Sequence, residues 1–198
     1  MADSNITKRA LSAAFKELLQ TEAFEKISVA DICDKCHMNR KSFYYHFKDK
    51  YDLANWIFDT EFIELTQSQI PDISTASFED RWNGIIVVCN YFYNNRNFYR
   101  KILTVSGQNS FSEHFRDFMH PILKNRVETI MGMKDTPDMV FDFAVDGLEC
   151  AIERWLLDKQ CITAEEFVGN LKKLLQLLII GLENRIAADP DWLDEIKK

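Results

Sequence analysis

One run of the chain carries the residue types of metal and redox chemistry: ICDKCHM, residues 32–38, with Cys33 and Cys36 followed by His37. C-x-x-C-H is the spacing of c-type haem attachment, and C-x-x-C alone is half of a zinc site or a redox dithiol. Haem attachment needs an oxidising export route, and zinc needs two further ligands. A plainer use competes with both, because free cysteine packs well as a small apolar side chain. Five cysteines at irregular spacing fit a reducing compartment better than a disulfide framework. Catalytic patterns are missing: there is no glycine-rich phosphate loop, and His37, His46, His114 and His120 form no H-E-x-x-H. Neither an enzyme nor a bound cofactor or metal is expected.

A second run points to anion binding. Residues 35–50, KCHMNRKSFYYHFKDK, hold five basic residues against Asp49 alone, a local charge of +4 in a chain of net charge −7. Residues 1–50 carry nine Lys/Arg and seven Asp/Glu, giving +2; the remainder carries 15 and 24, giving −9. A confined basic face on an acidic protein suits a polyanionic partner.

The elements that must position this face are helices. Six glycines and four prolines in 198 residues, about 5% against an average near 12%, leave little turn punctuation, and 46% hydrophobic content suffices for a core without staples. In ITKRALSAAFKELLQT the apolar residues recur at i, i+3, i+4, and Phe24 and Ile27 close that helix's core. Ser28-Val29-Ala30-Asp31 is a capping signal for a second helix ending near Cys36. Asn39 caps a third, Arg40 to Phe47, and Asp49 a fourth through Leu53, Trp56 and Ile57. Two short helices joined by His37 and Met38, the second presenting Arg40, Lys41, Ser42 and Tyr45, form a helix-turn-helix pattern.

From about Thr7 to Leu53 the chain resembles the DNA-binding segment of the tetracycline-repressor (TetR) family of bacterial transcription regulators. Phe43-Tyr44-Tyr45-His46-Phe47-Lys48-Asp49-Lys50 follows that family's block position by position. Residues 78–187 resemble, more loosely, the C-terminal regions of members that include activators of dihydroxyacetone-kinase operons. Resemblance and chemical type together give phosphate contacts to Tyr44, His46, Lys48 and Lys50, and a helix N-terminus gives one to Ser28. Arg40, Lys41 and Ser42 are placed for base edges, Arg40 gripping guanine O6 and N7, and Tyr45 for a thymine methyl or the groove wall. Phe43 and Phe47 should pin the third helix to the first. The family favours small residues at 33 and 36, so Cys33 and Cys36 read as core side chains, with a thiol-sensing role the remaining alternative. Glycine is usual at 37, so His37 departs from the pattern at a turn that favours φ > 0.

The implied protein is all-α, with a helix-turn-helix DNA-binding domain over 1–53 and a helical regulatory and dimerisation domain over 54–198. The expected elements are a linker at 70–77 around Pro71, a helix from Phe78, a short one ending at Gly107, a longer one kinked at Pro121, and a break at MKDTPD. Two long helices near 138–158 and 163–187 are expected to pair two chains as a four-helix interface. An effector, a small molecule or a partner protein, is expected among Trp82, Asn90, Tyr93, His114, Phe118 and Glu149, aromatic and polar groups of the central helices. The function implied is ligand-responsive regulation of transcription by a homodimer on a palindromic double-stranded operator, as a repressor; activation and a pure protein-interaction module are the alternatives. The opening MADSNITKRALSAAF has no basic leader with an apolar core, so a cytoplasmic protein without membrane insertion is expected.

Overall fold

The computed structural model describes residues 2–70, 76–105, 110–132 and 135–189. Pro71, Gly107 and the Met133-Lys134 pair, on which the linker, a helix end and the MKDTPD break were read, lie outside the described residues. Among those described the secondary structure is helical throughout, without strands: α1 Ala2–Thr21, a 3-10 turn Phe24–Lys26, α2 Val29–Lys35, α3 Arg40–His46, α4 Lys50–Gln69, α5 Phe78–Asn94, α6 Arg96–Leu103, α7 Phe111–Met131, α8 Asp138–Leu157 and α9 Ala164–Ala188.

Local signals explain most boundaries. Ser28, Ser77 and Thr163 each close a reciprocal capping box with Asp31, Asp80 and Glu166. Asn39 accepts from Ser42 N at 2.8 Å, and Asp49 from Tyr51 N and Asp52 N at 2.8 and 2.9 Å. α2 ends in a Schellman turn: Met38 N donates to Cys33 O (2.9 Å) and His37 N to Asp34 O (3.2 Å), with His37 in the left-handed region at φ 56°. α6 ends at Leu103, short of the expected Gly107. α7 runs past Pro121, whose missing N–H leaves the Asp117 carbonyl without its ladder donor, and stops at Gly132, φ 66°.

One core spans the chain. Its N-terminal part joins Leu11, Phe15, Phe24, Ile32, Phe43 and Phe47, all buried, so α1 and the 3-10 turn form the floor on which α2 and α3 sit. Further on, the ring of Phe58 in α4 lies within 6.3 Å of Phe62, Phe92, Phe111, Phe115 and Phe118, which gathers α4, α5 and α7. Trp155 of α8 stacks between Tyr93 of α5 and Phe167 of α9 at 6.1 and 4.3 Å. Polar ties join the two ends: Lys16 Nζ donates to both Glu61 oxygens at 2.7 and 2.9 Å, and Lys101 Nζ in α6 donates to Leu19 O and Glu22 O at 2.5 and 2.7 Å.

Candidate nucleic-acid interface and effector cavity

α3 has one buried face and one bare face. Phe43 and Phe47 are 0% and 3% exposed, and losing either ring would cost about 3–5 kcal/mol. That anchorage fixes the direction of the residues between them. Arg40, Lys41, Tyr44, Tyr45 and Lys48 are exposed, Tyr45 at 82%, while Ser42 and His46 are half-buried. The Tyr45 ring meets His46 edge-on at 4.9 Å, so the two rings present a stepped surface. Donors, a guanidinium and two phenols on one narrow, outward face suit a groove edged by phosphates.

Two expected phosphate contacts are placed otherwise. Lys50 turns inward: its ammonium donates to Phe24 O (2.7 Å), Ile27 O (2.8 Å) and Glu25 O (3.3 Å), and sits 4.6 Å from the Phe24 ring centre. Those carbonyls lie at the end of the 3-10 turn, where Phe24 O also accepts from Ile27 N at 3.3 Å, and the cation caps them. Burial pushes the Lys50 pKa down. Ser28 is likewise committed: its backbone N and its Oγ both donate to Asp31 Oδ2, at 2.8 and 2.6 Å. These bonds, the side-chain one foremost, lower the Asp31 pKa, and a carboxylate at that helix end repels phosphate. Lys48 is left as the exposed cation of the motif's end.

The Cys33 thiol lies in the core, and Cys36 is half-buried with its thiol 3.2 Å from Ile32 O. Burial raises both thiol pKa values, which disfavours the thiolate that metal or redox chemistry needs. Both therefore act as small packing residues between α2 and its neighbours. Among the described residues no group of three or more His, Cys, Asp or Glu is placed to hold a metal ion.

A cavity of about 340 Å³ lies between α4, α5, α7, α8 and α9. The six residues expected to line an effector site are not among its walls. Each has another engagement. Lys172 Nζ sits 4.8 Å from the Trp82 ring centre, Asn90 Nδ2 donates to Glu165 Oε1 at 3.0 Å, and Tyr93 stacks on Trp155. His114 Nε2 pairs with Asp59 Oδ1 at 2.7 Å, Phe118 packs on Phe58 and Phe62, and Glu149 meets Arg116 Nη2 at 3.2 Å. The walls are instead the neighbouring stripe of each helix: Arg81, Gly84, Val88 and Phe92 on α5, and Phe115, Met119, Ile122 and Arg126 on α7. A sequence signal for the latter exists in retrospect, since Arg126 continues an apolar i, i+4, i+7 face.

A helical chain with an anchored, outward-facing recognition helix and a cavity beyond it has the form of a helix-turn-helix regulator of transcription. Residues 8–56 match the family described as bacterial regulatory proteins, tetR family, and residues 80–177 match one described as transcriptional regulator C-terminal region. The chain belongs to the TetR family of transcription regulators. It is 32% identical over 115 residues to the HTH-type dhaKLM operon transcriptional activator DhaS of Lactococcus lactis subsp. lactis (strain IL1403), a match spanning 58% of this chain and 57% of that protein, little more than half of each. Solved structures share the fold: dihydroxyacetone kinase operon activator DhaS, at TM-score 0.62 and 22% identity over 88% of this chain and 96% of that one. A TetR regulator from Streptococcus agalactiae 2603V also has TM-score 0.62, at 22% identity over 89% and 95%. NalD of Pseudomonas aeruginosa, the secondary repressor of the MexAB-OprM multidrug efflux pump, has TM-score 0.61 at 15% identity over 86% and 94%. An activator and a repressor thus stand on the same architecture.

Proposed function

We propose that the protein is a sequence-specific regulator that binds a palindromic operator as a homodimer, residues 1–53 contacting DNA and 54–198 dimerising and sensing an effector. The observation that carries this reading is the bare face of α3, with Arg40, Lys41, Tyr44, Tyr45 and Lys48 outward and Phe43 and Phe47 locked beneath. Arg40, Lys41 and Ser42 read bases from the N-terminal turn; Tyr44, His46 and Lys48 hold phosphates and set register. The cavity lies against Phe62 and Thr66 of α4, the helix that begins at Lys50 beside the motif. An effector that prefers one setting of α4 shifts the population of the DNA-competent dimer in proportion to its difference in affinity for the two.

Repression follows where the bound dimer blocks a promoter. The likeness to DhaS, an operon activator, favours a second reading in which the same DNA binding activates. The test of the shared part is selection of bound fragments from random DNA by the purified protein, followed by a salt titration on the winner. A palindrome with half-sites about one helical turn, roughly 34–36 Å, apart or a multiple of it is expected. Arg40→Ala should relax preference at one base position, at a cost of about 1–3 kcal/mol there. No enriched sequence would refute the reading, and equal weakening of Arg40→Ala on every sequence would remove Arg40 from base recognition.

A further inference from the structure

The cavity wall is apolar except at one end. Phe58 meets Phe111 and Phe62 meets Phe118, so α4 and α7 run past it in the same direction, while Tyr91 is bonded to Glu61 and Gly84 lies against Ile70, so α5 runs oppositely. The inner end is therefore Phe62, Phe92 and Phe115, all buried, and the other end carries Thr66, Asp80, Arg81 and Arg126.

That end of the wall is polar and carries charged side chains. Asp80 is occupied by its own helix start, its Oδ2 accepting from Ser77 Oγ at 2.6 Å and Ser77 N at 3.1 Å. Arg81 and Arg126 bring two guanidinium groups to this end. Arg126 stands exposed at the rim, and among the described residues it has no hydrogen-bonding or ion-pair partner. The part of its side chain that lies against the apolar wall is desolvated, which lowers its pKa. A guanidinium held in this way is a receptor for a planar, two-oxygen anion.

We propose that the cavity binds a small amphipathic carboxylate, its head on Arg126 beside Arg81 and its apolar tail running inward to Phe62, Phe92 and Phe115. About 340 Å³ holds on the order of ten heavy atoms at about 30 Å³ each, the size of a medium-chain or arylalkyl acid. The assignment rests on the reading of this cavity as the effector site and adds the chemical class of the effector. A neutral ligand of the same shape would leave the Arg126 charge unmatched, and a cationic one would oppose it.

Calorimetric titration of the full chain with sodium decanoate, 1-decanol and decylammonium chloride tests the class, since the three share one tail and differ in the head. Decanoate is expected to bind at least about tenfold more tightly than either of the others. Arg126→Gln, checked for retained helicity by circular dichroism, should erase that preference, and Arg126→Lys should keep part of it. Equal binding of decanol, preference for decylammonium, absence of binding by decanoate, or undiminished preference in Arg126→Gln would each overturn the proposal. Operator affinity measured with and without decanoate separates the two layers. Decanoate that binds in the predicted way without changing DNA affinity upholds the ligand class and refutes the effector role. A DNA response shared equally by decanol overturns the ligand class and keeps the effector role.

Discussion

Lys48 and Lys50 are two residues apart and have different surroundings. Lys48 is exposed, whereas three backbone carbonyls surround the ammonium of Lys50. Lys48→Ala should therefore weaken binding to all DNA sequences alike and lower the slope of log K against log salt by about one unit. Lys50→Met should instead cost about 1–3 kcal/mol of stability, because the half-buried Phe24 and Ile27 carbonyls lose their charged donor. Urea unfolding beside a salt titration checks the pair; a reduced salt slope at full stability in Lys50→Met would return that lysine to the phosphates. His37 offers a second residue-scale test. Its φ of 56° strains any residue with a Cβ, though histidine less than a branched one, and its side chain is exposed. His37→Gly should raise the unfolding free energy by up to about 1 kcal/mol, the relief being partly offset by glycine's larger unfolded-state entropy. A lower melting temperature would mean that the imidazole makes a contribution of its own.

At the scale of elements, what the sequence discloses depends on how far apart the partners lie. The capping boxes of α2 and α5 are contained in four consecutive residues, so Ser28-x-x-Asp31 is readable directly. These boxes also set an acid response. The Asp31 and Asp80 carboxyls have lowered pKa values, first through their side-chain bonds to Ser28 and Ser77. The folded protein thus binds those protons less readily than the unfolded chain. Their stabilisation is complete above the ordinary carboxylate pKa and is lost as pH falls through and below it. Asp31→Asn with Asp80→Asn should flatten the fall of melting temperature below about pH 4; an unchanged acid limb would assign it to other carboxyls. The cationic caps could not be read in this way. Lys50 reaches back to Phe24, Lys101 to Leu19 and Arg100 to the Leu156 and Asp158 carbonyls, acceptors that only the tertiary fold brings near. The cavity was missed for a related reason. Trp82 and Arg81 differ by one residue, about 100° around a helix. In a segment as uniformly apolar as GIIVVC, periodicity does not fix which face turns inward. Helix existence and the HTH surface were legible because their patterns are local; the rotation of α5 depends on α4, α7 and α9 together.

At the scale of the molecule, α9 is the element whose sequence and environment disagree. Its first turns pack inward, with Ala164 and Val168 buried and Phe167 stacked on Trp155. From Lys173 to Arg185 every residue is exposed, and that stretch holds Leu174, Leu175, Leu177, Leu178, Ile179, Ile180 and Leu182. A helix that is apolar around most of its circumference is stable in water only when covered. On α8, Met139 and Phe143 are exposed at 78% and 82%, one turn apart. A second copy packing its own α8 and α9 against these would cover both surfaces by two-fold symmetry and would space two α3 helices for successive major grooves. Leu174→Glu with Leu178→Glu should therefore yield a monomer by sedimentation equilibrium. Because those side chains touch little within their own chain, the helical circular dichroism should persist. Operator binding should fall to the level of one half-site, losing the steep concentration dependence of a dimer, while affinity for nonspecific DNA changes little. A dimer that survives both substitutions would transfer the interface to another surface and leave α9 to a different protein partner. A monomer that still binds the full palindrome with undiminished affinity would separate dimerisation from DNA recognition.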